Sequence, residues 1–222
     1  MLSASVSFRP ATPGDAPFAT PLLYSISPRD FEYLFAHLAD GLSVLDVLDR
    51  FYRIPGGMFS WHNTELALVD SQPAGLVTAY AASSGEGSSA WLLRGISTLG
   101  IRGLLRLARR GLPLSRTMQP LLPGSWYIAF VGVQAKQRSL GIGTSLIERS
   151  VVRARAAGCS CAELDVEDDN PRAQTLYERL GFQLVSKPRV PGHSSLVPSR
   201  RMRRVLEQGE TEGAGSPRAD DM

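Results

Sequence analysis

Little in this 222-residue chain invites metal or disulfide chemistry. Its two cysteines, Cys159 and Cys161, sit two residues apart, and its three histidines, His37, His62 and His193, are scattered. Metal sites draw on Cys and His clustered at short spacing, so no metal is expected. Thiols at that spacing point to one face of a strand and read as a buried pair rather than a disulfide. No window offers the roughly 18 uninterrupted apolar residues of a membrane span. Residues 1–6 show no charged segment followed by an apolar block, so no secretory leader is expected. These absences together predict a cytoplasmic protein.

What is present is a chain that is 43% hydrophobic and 20% charged, the balance of a globular domain long enough for a sizeable core. Its organising stretch runs from Trp126 to Gln183. Trp126 to Val133 is a near-continuous apolar run of strand length. After it, Leu146, Ile147, Ser150, Val151 and Ala154 fall on one helical face, and Gly158 supplies a stop. Gly141 and Gly143 therefore lie in a strand-to-helix turn. A helix start has unpaired N–H groups and partial positive charge, which suits a phosphate, and Arg138 adds a fixed cation beside it. A dinucleotide fold would need glycine at Leu146, and no Gly-Lys-Ser/Thr is present for a P-loop. A second helix is predicted from Asn170, a good N-cap, through Pro171 to Gly181, with Ala173, Leu176, Tyr177 and Leu180 in its apolar stripe.

These two stretches resemble the GNAT superfamily of acyl-CoA-dependent N-acetyltransferases. Arg138-x-x-Gly141-x-Gly143 is similar to its [RQ]-x-x-G-x-[GA] loop. Asn170-x-x-Ala173-x-x-Leu176-Tyr177-x-x-x-Gly181-Phe182 is similar to its second signature. The resemblance implies an α/β fold of the α+β type, with a mixed, mainly antiparallel sheet of about seven strands splayed between strands 4 and 5 and flanked by helices. It also implies acetyl-CoA as co-substrate. The pantetheine amides would pair with backbone near Val131 and Val133, and the pyrophosphate would meet Arg138, Ser139, Leu140, Gly141, Ile142, Gly143 and Thr144. Asn170 would cap its helix and approach the cofactor arm. Tyr177 occupies the family's acid position, beside the leaving thiolate. The strand-4 glutamate of some members aligns with Tyr127, which cannot act as a base; Glu65, His62 and Glu163 are the alternatives. Ser139 stands where glycine is common, and Leu140 where a basic residue is.

Elsewhere, Val6 to Arg9 reads as a first strand, and Arg9-x-Ala11-x-x-x-Asp15 resembles the family's opening. Helices are predicted over 16–26, 30–39 and 44–51, and Phe51, Tyr52, Phe59, Trp61 and His62 are loose candidates for the acceptor pocket. Thr64 to Asp70 and Ala74 to Tyr80 form a hairpin around Ser71-Gln72-Pro73. Residues 83–124 form an insertion whose six arginines between 90 and 120 meet no acid, which reads as one or two basic amphipathic helices. Covering the acceptor site, contacting a partner and pairing subunits as a homodimer are the uses open to it; no nucleic acid is expected. Cys161, Glu163 and Asp165 should share one face of a fifth strand, with Phe182 to Ser186 and Ser199 to Leu206 as later strands. Residues 1–206 thus read as one N-acetyltransferase domain, and 207–222, rich in acids, glycine and serine, as a disordered tail.

Three functions follow. The first is acetyl transfer from acetyl-CoA to a primary amine of a small molecule, by direct attack in a ternary complex. The second is the same transfer to a protein lysine or N-terminal amine. The third is an acyl-CoA-binding regulatory module without catalysis.

Overall fold

The computed structural model describes residues 5–38, 40–84, 99–112, 119–188, 193 and 196–207. The predicted acidic tail beyond 207, and the parts of the predicted insertion at 85–98 and 113–118, lie outside them.

Seven strands form one sheet in the order β1-β2-β3-β4-β5-β7-β6. They are β1 (Val6–Pro10), β2 (Thr64–Val69), β3 (Gln72–Ala81), β4 (Ser125–Val133), β5 (Cys161–Glu167), β6 (Gln183–Leu184) and β7 (Ser199–Val205). Every pairing is antiparallel except β4 with β5. The β2–β3 turn falls one residue earlier than expected. Asp70 and Ser71 both take positive φ, 49° and 65°, and Val69 pairs directly with Gln72. Two such residues match the strand twist of a type I′ hairpin.

Helices cover both faces. On one, α1 (Ala16–Ile26), α2 (Pro28–Phe35) and α3 (Val44–Arg53) bury Leu23, Phe31, Phe35, Leu48 and Phe51 against Leu66, Leu76 and Phe130 of the sheet. A helix at 99–112, α4, adds Leu99 and Leu107 to this core. On the other face, α5 (Ile142–Ala156) packs Ile142, Leu146, Ile147, Val151 and Ala154 against β3, β4 and β5. The short α6 (Pro171–Arg179) lays Ala173, Leu176 and Tyr177 along the edge of that same core. Both cysteines are buried and unlinked. Cys159 lies in the turn before β5, so strand alternation does not pair it with Cys161 as the spacing predicted.

The predicted basic helices take one described form, α4, and two of its arginines bind backbone of the fold. The Arg106 guanidinium donates to the carbonyls of His37 and Leu38, both at 3.3 Å. That of Arg110 donates to Ala36 and Leu34. These are the open carbonyls at the C-terminus of α2, where cations are favourable. Gly103 permits the approach, because a Cβ there would lie 3.1 Å from the Leu38 carbonyl oxygen. The insertion therefore braces α2 from its C-terminal end.

The Arg9–Asp15 pattern also has a structural meaning. The two side chains meet fork to fork at 2.6 and 2.8 Å. One Asp15 oxygen also accepts from the Thr12 amide at 2.8 Å, tying β1 to the entry of α1. These donors pull the Asp15 carboxyl down to about 2, with the Arg9 hydrogen bond the largest cause. Because the folded pKa is depressed, the contribution to stability is complete above the ordinary carboxylate value of about 4 and is lost as pH falls towards 2. Asp15→Ala is expected to cost about 1 kcal/mol in urea unfolding at pH 7. The difference from the parent protein should shrink at pH 3 and below.

Candidate active site

The site begins where two strands part. The parallel pairing of β4 with β5 lasts three residues, Ser125↔Cys161, Trp126↔Ala162 and Tyr127↔Glu163. The fork is pinned on both faces. Trp126 Nε1 donates to the buried Ser150 hydroxyl of α5 at 2.9 Å. On the opposite face the Tyr127 hydroxyl donates to Asp165 at 2.9 Å. Beyond it, residues 128–133 keep β3 on one edge and, among the described residues, have no paired strand on the other. A bulge at Ala129, which the β3 register skips, turns β4 at this point. Burial along β4 follows: the first four residues are buried, and Ala129, Phe130, Val131 and Val133 are only partly so. The whole strand is thus not enclosed as its apolar run suggested.

A cleft of about 650 Å³ opens on this exposed edge. Val131 and Val133 of β4 line it, with Arg138, Ser139, Gly141, Ile142, Gly143 and Thr144 of the turn and Asn170 and Tyr177 from α6 and its cap. Leu140 is 60% exposed and is not among the lining residues. The amides of Ile142, Gly143 and Thr144 precede the first bond of α5, from Ser145 N to the Gly141 carbonyl at 3.0 Å. Unpaired amides at a helix start are a geometry that suits an anion. Gly141 takes φ +76° as the N-cap, and Ser139 takes φ +67°, an uncommon and strained conformation for serine. The family's usual glycine at that position would relieve it. The Arg138 side chain donates to the Val133 carbonyl at 3.3 Å, which holds the turn against the strand end. Asn170 caps α6 through Ala173 N at 3.1 Å.

A second cavity, about 200 Å³, lies deeper in the fork. Phe31, Leu34, Met58, Phe59 and Phe130 supply apolar walls, and Asp30, Asp165 and Glu167 supply carboxylates. Ile26, Asn170, Ala173 and Tyr177 line both cavities, so Tyr177 stands at their junction. The charges segregate. Among the described lining residues the cleft has Arg138, Arg172 and Arg179 and no acid, while the cavity has three acids and no base. Burial pushes the Tyr177 hydroxyl up to about 12, with the Glu167 charge a smaller cause. It is therefore protonated at neutral pH.

The other sequence candidates sit elsewhere. Phe59 reaches the cavity, but Phe51 and Tyr52 belong to the core under α3. Glu65 is bound by Arg149 at 2.9 Å through Nε. Glu163 is 1% exposed between Arg201 and Arg203. Neither of these acids, nor His62, lines the cleft or the cavity. Sequence reasoning missed Ser27, Asp30 and Glu167, because α2 reaches the end of β5 only across 140 residues of chain. Arg172 and Arg179 were readable in part, since they flank the apolar stripe of α6.

Comparison with known proteins agrees with this geometry. Residues 94–182 match the family described as Acetyltransferase (GNAT) family. A 56-residue stretch, 25% of this chain, is 39% identical to N-alpha-acetyltransferase 30 of Homo sapiens, and it spans only 16% of that protein. Among solved structures, an N-acetyltransferase from Staphylococcus aureus Mu50 superposes with a TM-score of 0.64 at 18% identity, over 89% of this chain and 99% of that one. A NatC complex bound to Gag peptide and CoA gives a TM-score of 0.50 at 15% identity, covering 91% of this chain and 99% of that one. At these identities the structural likeness establishes a shared fold.

The two turn glycines should respond differently to substitution. Gly141→Ala forces a side chain into the left-handed region and is expected to cost about 1 kcal/mol in urea unfolding. Gly143 lies within α5, and its added Cβ would meet only Val133 Cγ2 at 3.7 Å. Gly143→Ala should therefore be neutral or gain up to about 1 kcal/mol.

Proposed function

We propose that this chain, a member of the GNAT superfamily through the motifs within residues 94–182, transfers an acetyl group from acetyl-CoA to a primary amine by direct attack in a ternary complex. The observation that carries this reading is the meeting, at Tyr177, of a cationic cleft and an acidic cavity. The cleft suits a polyanionic, strand-like donor. The open edge of β4 near Val131 and Val133 can pair with the pantetheine amides, as an added strand would. The helix-start amides, with Arg138, suit a pyrophosphate. The cavity suits an ammonium beside an apolar group.

Held across the junction, the amine attacks the thioester carbonyl, and alignment of the two reactants supplies much of the acceleration. Backbone N–H groups at the fork can stabilise the oxyanion. The leaving thiolate takes the proton of the Tyr177 hydroxyl, which its high pKa keeps in place until that moment.

A small amine could fill the cavity alone. One observation favours the second reading, a polypeptide amine. A groove of about 1010 Å³, lined by Pro28, Arg29, Tyr33, Asp168, Asp169 and Pro198 among others, shares Val197 with the cavity. It gives room for chain beyond the reacting residue. The partial match to an N-alpha-acetyltransferase supports the N-terminal amine in particular.

Calorimetric titration with acetyl-CoA should show one saturable site that Arg138→Ala combined with Gly141→Asp removes. Tyr177→Phe should retain that binding while kcat falls by about 100-fold; undiminished turnover would remove Tyr177 from the acid role. For the acceptor, a hexapeptide with a free N-terminal methionine should give a kcat/KM at least about tenfold above that of methionine amide, a ratio worth about 1.4 kcal/mol of groove contacts. Equal values would return the choice to a small amine.

A further inference from the structure

Two carboxylates of β5, Asp165 and Glu167, line the acceptor cavity together with Asp30 of α2, and the register of β5 against β7 distinguishes the β5 acids. The same-face residues Glu163, Asp165 and Glu167 lie opposite Arg203, Arg201 and Ser199. The first two acids therefore receive an arginine from the facing strand. Arg203 binds Glu163 at 2.9 Å. Arg201 binds both oxygens of Asp165, at 2.7 and 3.0 Å, and Tyr127 adds a third donor at 2.9 Å. A carboxylate so held has its oxygens occupied by donors. Glu167 meets only a neutral hydroxyl across the strand pair.

We propose that Glu167 is the general base of this site, taking a proton from the acceptor ammonium, with Asp30 as its companion carboxylate; this rests on the acetyl-transfer reading above. Glu167 ends β5 inside the fork and lines the same cavity as Tyr177. Its recorded hydrogen bond is from the Ser27 hydroxyl to Oε1, at 2.5 Å. Asp30, in the first turn of α2, also lines the cavity and has one buried oxygen, Oδ1, without a hydrogen-bond partner. The charged and titratable groups around Glu167 are Arg29 and Asp30 from α2, Asp169 before α6, Tyr177 from α6, and Asp165 and Tyr127 on the cavity wall. Arg29 is itself paired with Asp169 at 3.2 Å, and Arg200 with Asp168 at 2.5 Å. Burial raises the Glu167 carboxyl above its ordinary value, the Ser27 hydrogen bond opposes this, and the charges of Asp30 and Asp169 raise it further. Burial raises Asp30 as well. Among the described residues Arg29, the cation near both acids, is paired with Asp169 instead, so the two carboxylates suit an ammonium and Glu167 can take its proton.

The proton balance is complete. The ammonium gives one proton to Glu167, the neutral nitrogen forms the C–N bond, and the C–S bond breaks. The thiolate takes the Tyr177 proton, and the second proton lost by nitrogen restores that hydroxyl. Glu167 then returns its proton to solvent, so each turnover converts R–NH₃⁺ and the thioester to amide, thiol and one H⁺.

The test is the pH dependence of thiol release from acetyl-CoA, with phenethylamine and the methionine hexapeptide as acceptors. The parent enzyme should lose kcat/KM towards acid along a limb set by Glu167. Glu167→Gln should bind acetyl-CoA unchanged, lose about 100-fold in kcat and lose that limb. Asp30→Asn removes a neighbouring negative charge and should move the limb to lower pH. Its acetyl-CoA affinity should also stay unchanged. An unchanged limb with near-parental kcat in Glu167→Gln overturns the assignment to Glu167, and an unmoved limb in Asp30→Asn overturns the role of Asp30. If Glu167→Gln fails to bind acetyl-CoA, the direction of the Asp30→Asn shift decides. A parent enzyme that acetylates neither amine overturns the transfer reading itself, and this inference with it.

Discussion

The parting of β4 and β5 after three parallel pairs is the constraint on which the rest of this molecule depends. A fully zipped sheet would bury the β4 edge and leave no room for either cavity. Complete separation would expose the apolar faces on which α5 and α6 rest. The fork is held at one depth because each face carries its own lock, Trp126 to Ser150 above and Tyr127 to Asp165 below. Both locks sit at the last paired residues. From Ile128 onward β4 no longer pairs with β5, which continues against β7.

The lower lock belongs to a larger charged lattice. Arg201, 1% exposed, is gripped by Asp165 and Glu163, donates to the Gln119 carbonyl and lies over the Tyr127 ring. Buried ions are costly to desolvate, and removing one partner of such a pair typically destabilises by about 3–5 kcal/mol. The lattice therefore specifies geometry more than it adds stability. It fixes β7 against β5 in one register, and that register decides which β5 acids receive an arginine.

The insertion enters the same logic from the other side. Arg106 and Arg110 of α4 bind the C-terminal carbonyls of α2, and α2 carries Asp30, Phe31 and Leu34 into the cavity wall. A segment that looked like a basic surface in sequence thus spends two of its arginines on holding the acidic-cavity side of the fork. The cleft side is held differently, by the turn between β4 and α5 and the Asn170 cap. The two cavities still share Ile26, Asn170, Ala173 and Tyr177, so their walls are coupled through α6 and the end of α1.

The sequence by itself determined the local elements. Apolar periodicity located β4, α5 and α6, the cap Asn170 marked the start of α6, and the glycines after Arg138 marked the turn into α5. These features depend on neighbours within a few residues, which is why they were legible. The hairpin turn was misplaced by one residue, because Asp70 and Ser71 take positive φ without a glycine to announce it. The acceptor cavity was another matter. Ser27 meets Glu167 across 140 residues of chain, and Glu167 differs from Glu163 and Asp165 only by what β7 sets opposite it. In sequence these are three acids at the same alternating spacing. Only the tertiary register, which sets Met202 opposite Leu164 in one core, gave two of them arginines and left the third without one.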